Sequence, residues 1–127
     1  MSPPLSYQGI HLIADLHGGH GLDDAELVAR CLADAAVAAG ATLIETRLHH
    51  FGPGMGVTGV ALLAESHISI HSWPEHGYAA VDIFMCGVAN DPDAALALIA
   101  DTLGARIENR VALRRGYGAL EPGLIDR

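Results

Sequence analysis

The sequence contains no lysine. Its 127 residues include seven bases, Arg30, Arg47, Arg106, Arg110, Arg114, Arg115 and Arg127. A P-loop is therefore excluded, since it needs a lysine on the phosphates. Pyridoxal phosphate, which a lysine holds covalently, is excluded as well. So is a lysine imine with a carbonyl substrate. Aromatic residues make up only 5% of the chain, so the core must be mainly aliphatic. Positive charge is also scarce, and the net charge of -8 argues against a nucleic-acid partner, which needs a basic surface. The arginines from Arg106 to Arg115 read as a solvated strand face. The two cysteines, Cys31 and Cys86, make no disulfide framework. No apolar run reaches the ~18 residues of a membrane span. Met1 to Ser6 has neither a basic nor an apolar leader region. The expectation is a cytoplasmic protein without a membrane partner.

What is present describes one folded domain over residues 1–127. Half of the residues are hydrophobic and 17% are charged. Residues 1–7 read as a loose arm and Gly9 to Leu16 as a strand. The glycine-rich His17 to Leu22 reads as a loop. Asp23-x-x-Glu26 resembles a capping box, and an alanine-rich helix follows, ending at Gly40. Cys31 in that helix reads as a small buried hydrophobe. Thr42 to Phe51, Val57 to Ala64, Ile68 to Ser72 and Tyr78 to Cys86 read as strands separated by short turns. Asp91-Pro92 opens a second helix that stops at Gly104. Ala105 to Leu113 is a last strand, and the tail after Gly116 reads as irregular. The order β-α-β-β-β-β-α-β predicts an α/β two-layer sandwich, with a mainly antiparallel sheet and two helices on one face. The other face would lack a cover, which predicts a second copy of the chain packed there or at the sheet edge.

Chemistry concentrates in Glu65-Ser66-His67-Ile68-Ser69-Ile70-His71-Ser72-Trp73-Pro74-Glu75. Alternation along a strand puts His67, Ser69 and His71 on one face, with Ser66 on the other unless the register breaks there. Three readings compete. The eight histidines suggest a metal, but His67-x-x-x-His71 suits a helix, not a strand. His17-x-x-His20 lies in an unspecific glycine loop. A hydrolase using Ser66 and His71 would lack the usual nucleophile elbow. The third reading is self-cleavage at Ser66 to make a pyruvoyl group.

The stretch from Ala64 to Glu75, followed by Gly77-Tyr78-Ala79-Ala80-Val81-Asp82-Ile83-Phe84-Met85-Cys86-Gly87, resembles the bacterial and archaeal S-adenosylmethionine decarboxylase proenzymes. Upstream, Phe51-Gly52-Pro53 and Gly56-Val57-Thr58-Gly59 resemble that family's approach to its cleavage site. The resemblance implies that Ser66 attacks the carbonyl of Glu65, exchanging the amide for an ester. His71 would take the α-proton, and elimination would cut the chain between 65 and 66. The products would be a β chain of residues 1–65 and an α chain of residues 66–127. Ser66 would become the pyruvoyl group that forms an imine with the substrate amine. No pyridoxal phosphate and no metal would be required. Cys86 matches the family's proton donor in decarboxylation, although a core role is its plain alternative. Thr58 matches a processing and site hydroxyl. Phe51 resembles an aromatic that stacks on adenine, and Glu75 a carboxylate that binds ribose. The site would be completed across a homodimer of processed αβ protomers.

The implied activity is decarboxylation of S-adenosylmethionine, supplying aminopropyl groups for spermidine synthesis. One alternative keeps the machinery and acts on ornithine or arginine. Another is a non-catalytic dimer that binds a metal or a small ligand.

Overall fold

The computed structural model describes residues 7–86, 89–117 and 123–126. The elements are β1 (Tyr7–His17), α1 (Ala25–Ala38), β2 (Leu43–His50), β3 (Val57–Leu63), β4 (His67–Trp73), β5 (Tyr78–Cys86), α2 (Pro92–Leu103), β6 (Arg106–Tyr117) and β7 (Gly123–Asp126). A 3-10 turn, Pro74–His76, joins β4 to β5. The strands form one sheet in the order β2-β3-β4-β5-β1-β6-β7. Every pairing is antiparallel.

Both helices begin with local chemistry that the sequence carries. The Asp24 carboxylate accepts the Leu27 N–H at 3.1 Å, which satisfies one of the helix's free N-terminal donors. The cap is thus Asp24 and not the expected Asp23. α2 starts as expected, with Asp91 accepting from Ala94 N–H at 3.1 Å and Pro92 in the first turn. It ends at Gly104, whose φ of 62° is left-handed. α1 buries Val28, Cys31, Leu32, Ala35 and Ala36, the i, i+3, i+4, i+7, i+8 stripe of an amphipathic helix. α2 buries Ala95, Leu96, Ile99, Ala100 and Leu103. Alanines on both stripes let the two helices lie against each other and against one sheet face.

That sheet face is read from alternation. Leu12, Ala14 and Leu16 of β1, Ile68 and Ile70 of β4, and Ala79, Val81, Ile83 and Met85 of β5 are buried under the helices. The residues between them face the other way, where no helix of the described residues lies. On that open face Ile13 of β1 and Leu62 of β3 stay exposed, beside Phe84. The two-layer architecture agrees with expectation. The tail differs, since Gly123–Asp126 extends the sheet by pairing with β6. The arginines of β6 also differ from a uniform solvated face. Arg110 reaches Asp93 of α2 through Nε and Nη2, both at 2.8 Å, whereas Arg115 lies over the Phe84 ring on the open face. Among the described residues no helix is long and apolar enough to cross a membrane.

Candidate active site

Two groups of polar side chains stand on the open face, at opposite ends of β4. The first surrounds a cleft of about 300 Å3 lined by Phe51, Met55, Thr58, His71, Trp73 and Glu75, among others. That volume is at the small end of ligand clefts. Its floor comes from the β3–β4 pair, in which Thr58 and His71 are direct partners. Thr58 Oγ1 lies 3.1 Å from His71 Nδ1. A second hollow of about 340 Å3 shares Thr58 and His71 and extends over Val60 and Ser69.

One wall is the turn between β2 and β3. Phe51 N–H donates to Gly56 C=O at 3.0 Å, and Met55 N–H to Gly52 C=O at 2.9 Å. Gly56 is required by close approach, since a Cβ there would lie 2.0 Å from the Ser72 carbonyl oxygen. Phe51 is 58% exposed and meets His49 edge-on, so one ring face is free to stack. The opposite wall is the 3-10 turn that carries Glu75. It closes at Gly77, whose φ of 60° suits glycine. Trp73 packs at a tilt on Tyr78, whose hydroxyl donates to Asp15 at 2.7 Å. That bond, and a second from Asn109, hold the Asp15 carboxyl below its ordinary value, while Asp15 pushes the Tyr78 phenol up.

The second group surrounds the turn from β3 to β4. Leu63 N–H donates to Ser66 C=O at 2.9 Å, so Ala64 and Glu65 form the tip. The tip is tied to the residue before β2. Ala64 N–H donates to Thr42 C=O at 2.9 Å, and the Glu65 carboxylate accepts from Thr42 N–H at 3.0 Å. The Glu65–Ser66 bond is thereby held on its N-terminal side. Among the described residues no non-glycine has a positive φ, so the turn carries no left-handed strain. Ser66 lies just outside β4, which releases it from strand alternation. Its Oγ sits 3.3 Å from His67 Nδ1. His67 Nε2 lies 3.3 Å from Asp82 Oδ2, and Asp82 Oδ1 bonds His11 Nε2. Arg115 Nη1 then donates to His11 Nδ1 at 3.1 Å.

Cys86 stands at the same end of the sheet, two residues beyond Phe84, which pairs with His67 of β4. It is half-buried on the open face, opposite Gly9 of β1. A Cβ on Gly9 would lie 2.5 Å from the Phe84 ring, so glycine leaves room for that ring. Cys31, by contrast, is buried under the sheet, and burial pushes its thiol up to about 11.

The structure therefore brings Phe51, Thr58, His71 and Glu75 together, and Glu65, Ser66 and Cys86 separately. It does not bring His71 to Ser66 within one chain. His67 and His71 are four residues apart on one strand, or about 13 Å. Sequence reasoning missed His67, Asp82, His11 and Trp73 as site residues. The alternation that put His67 on the open face was legible, but its partners depended on strand pairing. Of the histidines weighed for a metal, His67 joins the cluster found among the described residues, with His11 in place of His71. His11, His67 and Asp82 place ligand-capable atoms within 4.8 Å of one another. His17 instead packs on Tyr78 and faces Glu108 at 3.7 Å.

Comparison with known proteins decides the lineage. A family model described as S-adenosylmethionine decarboxylase matches residues 10–116. The chain belongs to the S-adenosylmethionine decarboxylase family. A relative from Anoxybacillus flavithermus, named S-adenosylmethionine decarboxylase proenzyme, is 43% identical over 115 residues, covering 89% of this chain and 91% of its own. One from Shouchella clausii with the same name is 40% identical over 116 residues, covering 90% and 89%. The crystal structure of the adenosylmethionine decarboxylase from Aquifex aeolicus superposes with a TM-score of 0.74 at 36% identity, covering 91% of this chain and 95% of that one. The family match spans both groups of side chains on the open face, from His11 to Arg115.

Proposed function

We propose that this chain is a proenzyme that cuts itself between Glu65 and Ser66 and then decarboxylates S-adenosylmethionine. The observation that carries the reading is the turn at Glu65–Ser66. A serine hydroxyl there stands within reach of an imidazole, and the preceding residue is clamped by Thr42. Attack by Ser66 Oγ on the Glu65 carbonyl exchanges the amide for an ester. Removal of the Ser66 α-proton then expels the Glu65 carboxylate, giving chains 1–65 and 66–127. The residues around Ser66 fit a pyruvoyl group made in place, for its hydroxyl already has a base and a thiol stands at the same sheet end. Such a group supplies the electrophilic carbonyl that captures the substrate amine and accepts electrons as carbon dioxide leaves. It is the electrophile that a chain without lysine must otherwise lack.

In this reading Cys86 returns a proton to the former α-carbon, and its partial exposure distinguishes it from the buried Cys31. Phe51 stacks on the adenine, and Glu75 accepts hydrogen bonds from the ribose hydroxyls across the same cleft. His71 takes the α-proton, and Thr58 fixes its ring. Since His71 and Ser66 lie at opposite ends of β4, the active unit is a homodimer in which each cleft meets the cleavage turn of the partner chain. The exposed Ile13 and Leu62 on the uncovered face give that association an apolar surface. The same reading carries the supply of aminopropyl groups for spermidine synthesis and the cytoplasmic location. The relatives are named for S-adenosylmethionine, and nothing in them supports ornithine or arginine as substrate.

The test is intact mass followed by substrate assay. The chain should appear as two fragments split between residues 65 and 66, with Ser66→Ala intact. Carbon dioxide should be released from carboxyl-labelled S-adenosylmethionine and not from labelled ornithine or arginine. An uncut, inactive wild-type chain overturns the reading.

A further inference from the structure

Self-cleavage needs two proton removals at chemically different atoms. One is from the Ser66 hydroxyl before the ester forms, the other from the Ser66 α-carbon afterwards. We propose that His67, oriented by Asp82, is the base for the first step, leaving the second to His71. The inference rests on the reading that the chain cuts itself at Glu65–Ser66.

An arginine only donates, and a carboxylate only accepts. Arg115 donates to His11 Nδ1 at 3.1 Å, so the His11 proton sits on Nε2, where it is given to Asp82 Oδ1. Asp82 Oδ2 accepts from the proton on His67 Nε2 at 3.3 Å. That leaves His67 Nδ1 with a lone pair, directed at Ser66 Oγ, 3.3 Å away. The roles along Arg115, His11, Asp82, His67 and Ser66 follow from Arg115, which only donates, and Asp82, which only accepts. The bond from Nε2 to Asp82 selects the His67 tautomer that a base requires, with Nδ1 as the acceptor. A serine, an imidazole and a carboxylate in this order form the same relay that activates serine nucleophiles elsewhere, here aimed at the peptide bond before the serine.

The step balances within the chain. Ser66 Oγ gives its proton to His67 Nδ1 and bonds to the Glu65 carbonyl carbon. The imidazolium formed is stabilised by Asp82. As the bond from that carbon to the Ser66 nitrogen breaks, His67 returns the proton to the departing nitrogen. An amide and a hydroxyl become an ester and an amine, with no external reactant.

The experiment reads ester formation by itself. In a His71→Ala background elimination stops, so ester accumulates and hydroxylamine cuts it while sparing amides. Precursors made by cell-free synthesis are chased, treated with hydroxylamine and weighed. Adding His67→Ala should slow appearance of the hydroxylamine-sensitive species about a hundredfold or more. Free imidazole should restore part of the rate, which a merely structural role would not allow. Asp82→Asn, nearly isosteric, should slow it about tenfold or more, and His67→Gln should resemble His67→Ala. Thermal melts identify any variant that fails to fold. Ester formation at the undiminished rate in His67→Ala or His67→Gln overturns the proposal. So does a folded, slow His67→Ala that imidazole does not rescue. An unchanged Asp82→Asn overturns the relay. A wild-type chain that stays whole and hydroxylamine-resistant overturns the self-cleavage reading along with it, so the two failures are distinguishable.

Discussion

Thr58 Oγ1 and His71 Nδ1 lie 3.1 Å apart as direct partners across the β3–β4 pair. The contact fixes the orientation of the His71 ring, which lines the cleft. Thr58→Val keeps the shape and removes the bond, so the α-proton step should slow about tenfold while ester formation proceeds. Thr58→Ser should cleave close to the wild-type rate. Hydroxylamine treatment followed by intact mass separates the steps. Equal rates for the valine and serine variants would leave the hydroxyl without a role in processing.

The Phe51 ring is exposed on one side of the same cleft and braced on the other by His49. Stacking an aromatic ring on a base contributes about 1–3 kcal/mol. Phe51→Ala should therefore raise KM for S-adenosylmethionine about tenfold or more, with self-cleavage unchanged. Glu75→Gln should also raise KM with cleavage unchanged, because the ribose hydroxyls lose a charged acceptor. Steady-state kinetics on fully processed protein checks both.

Much of this site was legible because its chemistry is contiguous. Glu65 to Glu75 carries serine, histidine and carboxylate in one run, and strand alternation assigns His67 and His71 to one face. The α2 boundaries were equally plain, since Asp91-Pro92 and Gly104 are local signals. The α1 cap slipped by one residue because Asp23 and Asp24 offer the same carboxylate, and only the backbone geometry selects Asp24. Long-range pairing was not legible. β1 lies between β5 and β6, and only that insertion brings His11 to Asp82 and Arg115. Asp82 sits among apolar alternation in β5, where nothing in its neighbours signals that Ser69 pairs with it. β7 was missed because a four-residue strand has too little pattern to declare itself.

The cluster of His11, His67 and Asp82 gives a prediction about metal. In the hydrogen-bond chain each Nε2 facing Asp82 carries a proton, and a metal would have to replace both. The trio also falls short of the four ligands of a structural zinc site. Exhaustive dialysis against a chelator should leave the rate of self-cleavage unchanged, as followed by intact mass. Loss of cleavage, restored by one divalent cation, would assign the cluster to that ion.

Asp15 and Tyr78 give a pH dependence. The Tyr78 hydrogen bond, then the one from Asn109, lowers the Asp15 carboxyl in the folded state. Its contribution is present above the unfolded carboxylate value near ~4 and is lost as pH falls through the lower folded value. The Tyr78 phenol is raised by the same bond, so its contribution is lost as pH rises through a value above the ordinary ~10. Tyr78→Phe should thus be destabilised over the plateau between these limits and converge with wild type in acid. The gap is at most about 1 kcal/mol, since solvent screens the pair. Denaturant melts across pH measure it, and a gap that grows in acid would contradict the assignment.

The separation of His71 from Ser66 along β4 makes a sharper prediction about assembly. If each site takes Ser66 from one chain and His71 from the other, two dead variants can repair each other. A mixed dimer of Ser66→Ala and His71→Ala contains one site with both residues altered and one with both intact. In the intact site the uncut Ser66 belongs to the His71→Ala chain. Co-expression should therefore release fragments 1–65 and 66–127 from the His71→Ala chain only, marked by its mass, while each variant expressed alone stays whole. Cleavage is limited by the share of mixed dimers, about half for random pairing of equal amounts. Ile13→Asp on the open face should abolish this rescue by weakening the association, and size-exclusion chromatography would show the smaller species. A mixture that forms mixed dimers yet stays uncut would mean that His71 serves the Ser66 of its own chain, which would require β4 to bend back on itself in the precursor.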